Sequence, residues 1–127
     1  MTTQWTVRDV FADDGLISQR LPDYEVRESQ VQLAVGIEQS MREGRHTCAE
    51  GPTGSGKSFA YLVPALWHLK NQYQVADDED PDNNRVVVAT ANIALQEQLV
   101  QKDLPFLAEV LPDEFRYTLV KGRNNFL

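Results

Sequence analysis

The chain predicts an α/β fold, with a parallel sheet of about three strands flanked by helices. Three observations predict it. Residues Gly51-Pro52-Thr53-Gly54-Ser55-Gly56-Lys57-Ser58 spell G-x-x-x-x-G-K-[ST] between a short strand-like stretch and a long helical one. Arg85-Val86-Val87-Val88-Ala89-Thr90 contains a continuous Val run that suits a strand buried on both faces. The order strand, helix, strand, helix, strand then implies right-handed crossovers between parallel neighbours.

Each element has its own local reason. Val7 to Phe11 reads as a short helix ending near Gly15. Ser29 to Met41 is a longer helix with Val31, Ala34, Val35 and Met41 on one side, and Gly44 is its expected C-terminal cap. His46-Thr47-Cys48-Ala49-Glu50 is the first expected strand, short and only weakly apolar. From Lys57 onward, Phe59, Leu62, Val63, Leu66 and Leu69 recur at helical spacing, with Pro64 expected to kink that helix or remove a hydrogen bond. Residues 76–84 read as a solvated acidic loop before the Val strand. Asn92 can cap the next helix, which Pro105 is expected to break, and Phe106 to Leu111 add a further turn or two. Arg116-Tyr117-Thr118-Leu119-Val120 is the third expected strand.

The glycine-rich motif carries chemistry. Glycines let the backbone curl so that successive N–H groups face phosphate oxygens. Lys57 supplies a point charge for the β- and γ-phosphates, and the Ser58 hydroxyl is a ligand for Mg²⁺. The following helix would turn its N-terminus toward the anion. Pro52 has no N–H to give and serves shape alone. On parallel sheets, ligands bind beyond the carboxyl ends of the strands, where both this loop and Thr90 fall.

Composition narrows the classes. At 127 residues and 42% hydrophobic content, the chain can build one ordinary core. No apolar run approaches membrane-spanning length and no signal-peptide layout opens the chain, so a cytoplasmic location is expected. Cys48 is the single cysteine, which rules out an internal disulfide, and it is expected to be a small buried hydrophobe. His46 and His68 lie apart from other ligand types, which disfavours a metal site. Trp5 and Trp67 read as packing groups, while Tyr24 fits either stacking near a base or packing at a helix entry. The net charge of −7 argues at first against nucleic acid. Five of those charges crowd into Asp77, Asp78, Glu79, Asp80 and Asp82, and without them the balance is −2.

Several segments together resemble a known family. These are Tyr24-Glu25-Val26-Arg27-Glu28-Ser29-Gln30, then Glu50 through Ser58, then Ala89-Thr90-Ala91-Asn92-Ile93-Ala94-Leu95-Gln96-Glu97-Gln98-Leu99, and finally Lys121-Gly122-Arg123-Asn124-Asn125-Phe126-Leu127. The chain resembles the start of the first motor domain of DinG-like, XPD-related helicases of superfamily 2, from about Val7 to its last residue. The resemblance implies an incomplete RecA-like P-loop domain, with a helical lead-in over 1–44 and an α/β core over 45–127. It implies ATP and Mg²⁺ as cofactors, with Arg27 and Gln30 at the adenine and 51–58 on the phosphates. Thr90, Asn92 and Gln96 would hold the backbone of single-stranded DNA, although Asn92 also fits simple helix capping. Without the family, a Gln on a helix surface is the commoner role for Gln30.

The departures from the family also matter. Its iron–sulfur members continue from the Lys-Gly-Arg segment into a cluster cysteine, which would follow Leu127, so a cluster is expected only in a longer parent protein. Neither Thr90 nor Val120 is followed by the Asp-Glu pair that activates the attacking water. The arginines that stabilise the transferred phosphoryl group belong to the second motor domain. The chain alone is therefore expected to bind nucleotide without useful turnover, a missing arginine finger alone being worth ~10³–10⁵ in rate. Two rivals remain: a stand-alone nucleotide-binding regulatory module, and a small P-loop phosphotransferase with an acceptor site.

Overall fold

Apolar side chains from three helices gather around Val10 and Phe11, neither of which retains exposed surface. The computed structural model describes residues 5–50, 57–75 and 85–122. The glycines of 51–56, the acidic stretch 76–84 and the closing segment 123–127 lie outside the described residues. The chain divides into two units, residues 1–89 and 90–127.

In the first unit, α1 (Val7–Phe11) starts with a reciprocal cap. Thr6 N donates to Asp9 Oδ2 at 2.9 Å, and Asp9 N donates to Thr6 Oγ1 at 3.2 Å. Beyond α1 the chain folds back on itself through three backbone bonds, from Gly15 N to Ala12 O, Leu16 N to Asp9 O and Ile17 N to Val10 O. Only glycine fits at 15, because a Cβ there would stand 2.1 Å from the Asp9 carbonyl oxygen. Helix α2 (Glu28–Glu43) ends at Gly44, whose φ of 69° lets its N–H and that of Arg45 return to the carbonyls of Met41 and Ser40. Val31 and Ala34 are buried as the periodicity predicts.

Helix α3 (Lys57–Val75) runs on both sides of Pro64, which is fully buried. The proline ring withholds the donor that the Ala60 carbonyl would receive in an unbroken ladder. Ala60, Leu62, Val63, Ala65 and Leu66 are buried with it. The three helices pack on one another pairwise. Trp67 Nε1 donates to Trp5 O at 3.1 Å, and Lys70 Nζ lies 6.0 Å from the centre of the Trp5 ring.

The second unit holds α4 (Ile93–Gln98), a widened π turn over Leu99–Asp103, and α5 (Leu104–Val110). Pro105 does not break this run. The ladder has already opened at the π turn, where Leu104 N–H reaches back five residues to the Leu99 carbonyl, and Pro105 sits in the first turn of α5, where no donor is needed. Leu99, Leu107, Val110 and Leu111 form the apolar centre.

The expected α/β fold with its parallel sheet is not what forms. The described residues are helical and contain no strand: 46–50, 85–90 and 116–120 run without a ladder. Val87 is 84% exposed and Val120 79% exposed, whereas a doubly buried strand would hide both. Hydrophobic runs report what a segment could bury. They say nothing of whether neighbouring strands stand ready to take up its N–H and C=O groups. Helices satisfy those groups internally, and the first unit closes its core helix on helix.

Candidate functional site

The residues picked out for nucleotide binding open two helices of the first unit. Lys57 and Ser58 are the first two residues of α3, Lys57 exposed and Ser58 half-buried. A helix of this length presents unsatisfied N–H groups and a partial positive charge at that end. The buried face from Ala60 to Leu66 and the Trp67–Trp5 bond anchor the helix behind them. Gly51, Pro52, Thr53, Gly54, Ser55 and Gly56 lie outside the described residues.

Arg27 and Gln30 sit together at the start of α2. Arg27 occupies the N-cap position, is exposed, and accepts the Val31 N–H at 3.1 Å through its carbonyl. Gln30, one turn in, is only 6% exposed. Its Oε1 accepts from the Tyr24 hydroxyl at 3.2 Å, and the same hydroxyl lies 3.4 Å from the Phe11 carbonyl. Burial pushes the Tyr24 phenol above its usual pKa; Arg27 opposes the rise and Asp13 adds to it. Tyr24 was left between stacking and packing by sequence alone. Its hydroxyl turns out to tie α2 to the end of α1. A Tyr six residues before a helix-opening Gln is the only signal that could have suggested this.

In the second unit, Thr90, Asn92 and Gln96 lie along one turn. Asn92 N donates to Thr90 Oγ1 at 3.1 Å, Leu95 N donates to Asn92 Oδ1 at 3.2 Å, and Gln96 N donates to the Asn92 carbonyl at 3.0 Å. Asn92 is therefore a true N-cap. In these bonds the two side chains act as acceptors, so the Thr90 hydroxyl still carries its proton and the Asn92 amide its NH₂. Thr90 and Gln96 are half-buried and Asn92 is exposed.

Sequence reasoning missed Asp103, a carboxylate only 8% exposed in the π turn that accepts from Gln98 Nε2 at 3.1 Å. Cys48 is exposed, contrary to the expected buried role, because the stretch around it joins no strand. Trp5 is buried and Trp67 half-buried, consistent with packing. Among the described residues, no three His, Cys, Asp or Glu side chains group to hold a metal ion, and no helix is long and apolar enough to cross a membrane.

Comparison with known proteins gives a consistent result. The DEAD/DEAH box helicase family profile matches residues 29–119. The chain is 36% identical over 119 residues to the ATP-dependent DNA helicase YoaA of Escherichia coli (strain K12), an alignment covering 94% of this chain and 16% of that protein. It is 35% identical over 113 residues to the ATP-dependent DNA helicase DinG of Salmonella choleraesuis (strain SC-B67), covering 87% of this chain and 14% of the relative. DinG of Escherichia coli (strain K12) is 34% identical over the same length. The chain thus spans about a sixth of the length of the curated relatives it matches. No solved structure matches it significantly.

Proposed function

The chain belongs to the DEAD/DEAH box helicase family, and from that premise we propose that it is the nucleotide-gripping part of a DinG-like, ATP-dependent DNA helicase. Membership implies the use of ATP and Mg²⁺ in general. The observation that carries the reading is the head of α3, where Lys57 and Ser58 follow directly on Gly51–Gly56 in sequence. That donor set fits a polyphosphate: backbone N–H groups and an ammonium for the oxygens, and a hydroxyl for the metal. Lys57 would hold the β- and γ-phosphates, Ser58 the Mg²⁺, and Gln30 with Arg27 the adenine.

Thr90, Asn92 and Gln96 would hold the backbone of single-stranded DNA through uncharged donors, which secure phosphates without reading sequence. Bound ATP supplies the free energy of hydrolysis for 5′-to-3′ movement in the intact protein, in the cytoplasm. The groups that complete turnover belong to a second motor domain, and an iron–sulfur cluster is proposed only for a longer parent. The test is titration of the full-length protein with Mg·ATP, with and without single-stranded DNA. Wild type should bind saturably and hydrolyse ATP faster with DNA, and Lys57→Ala should lose both. Unchanged binding in Lys57→Ala sinks the proposal.

A further inference from the structure

We propose that Tyr24 is a positioning residue for the Gln30 amide, and through it sets the preference for adenine over guanine. The inference rests on the reading of Gln30 as the base-contacting residue. A side-chain amide can be turned by half a rotation with almost no change of shape, exchanging its acceptor end for its donor end. Adenine offers a donor at N6 beside the acceptor N7, whereas guanine offers acceptors at both O6 and N7. An amide free to turn could serve either base at that edge. One held with a fixed acceptor end favours adenine.

The structure supplies the hold. The Tyr24 hydroxyl donates to Gln30 Oε1 at 3.2 Å, closer than the Phe11 carbonyl at 3.4 Å, so the single phenolic proton favours the amide. The bond is sheltered, since Gln30 is 6% exposed and Tyr24 half-buried. An amide oxygen carries two lone pairs, so a bond from Tyr24 is compatible with a second from adenine N6. Tyr24 is itself fixed by position, lying just ahead of α2 with its N–H bonded to the Leu21 carbonyl at 3.1 Å. The burial that raises its pKa keeps the phenol a donor at neutral pH.

The experiment compares Mg·ATP, Mg·GTP and Mg·tripolyphosphate binding in the full-length protein for Tyr24→Phe, Gln30→Ala and the double variant. One hydrogen bond to an uncharged partner corresponds to about a five-fold change. Tyr24→Phe should weaken ATP about five-fold, leave GTP nearly unchanged, and leave tripolyphosphate binding intact. In the Gln30→Ala background, adding Tyr24→Phe should change nothing further, because Tyr24 acts through Gln30. If Gln30→Ala narrows the ATP-to-GTP ratio but Tyr24→Phe does not, positioning is refuted while the adenine reading survives. If Gln30→Ala leaves the ratio untouched, the adenine reading fails and this proposal with it. Loss of tripolyphosphate binding in Tyr24→Phe would assign the residue a general structural role and overturn the proposal.

Discussion

Replacing Gly15 with Ala should be among the most damaging single-methyl additions in the first unit. The new Cβ would lie 2.1 Å from the Asp9 carbonyl oxygen, 2.9 Å from Ala12 N and 3.0 Å from Ala12 O. All three are backbone atoms, so no side chain can swing aside. Relief requires the 15–17 turn to move off α1. That movement breaks the bonds from Gly15 N, Leu16 N and Ile17 N, of lengths 2.9, 3.2 and 3.1 Å. It also lifts Ile17, 1% exposed, part of the way out of the core. Losing two or three such bonds at about 0.5–1.5 kcal/mol each, with part of an Ile burial, gives a loss of about 2–4 kcal/mol. Urea unfolding of the chain followed by tryptophan fluorescence reads this directly, since Trp5 and Trp67 belong to the same unit. Gly36→Ala is the paired control: nothing lies within 4 Å of its added Cβ inside α2, so it should gain about 0.5–1 kcal/mol. A Gly15→Ala midpoint indistinguishable from wild type would refute the steric reasoning.

Three more outcomes follow from local features. Asn92→Ala removes the cap on Leu95 N and should lower the stability of the second unit by about 1 kcal/mol, with Asn92→Asp retaining most of it, as read by helical circular dichroism during unfolding. Gly44→Ala forces a side chain into φ 69° and should cost about 1 kcal/mol, a shift that Gly44→Asn should largely avoid. The raised pKa of Tyr24 means the folded state holds that proton more tightly than the unfolded chain does. Its contribution to stability is therefore complete below the ordinary tyrosine value of about 10 and is lost as pH climbs through the folded value. Denaturation midpoints between neutral and strongly alkaline pH should show that loss in wild type and a smaller one in Tyr24→Phe; equal slopes would contradict it.

What could be read from the sequence was what depends on near neighbours. The Gly44 stop, the Asn92 start and the apolar stripe of α3 are each decided within a few residues, and each stands where it was expected. The family was legible for a related reason, because its motifs are short and fixed in spacing. The sheet was not legible. The Val run at 86–88 shows how such a segment would behave between partners, but it does not carry those partners with it. Tyr24 meeting Gln30, and Asp103 meeting Gln98 across a π turn, depend on side-chain directions that no periodicity encodes.

The π turn at Leu99–Asp103 also sets the phase of everything after it. A widened turn of this kind accommodates one residue more than a regular helix would over the same length. Deleting a single residue there could restore an even ladder, yet it would rotate the downstream helix by roughly 100° about its axis. Leu107 and Val110, now turned inward, would swing toward water and hydrophilic neighbours would take their place. Indels in this stretch are thus far less neutral than its surface-like composition suggests, and the bulge acts as a register mark for the helix that follows.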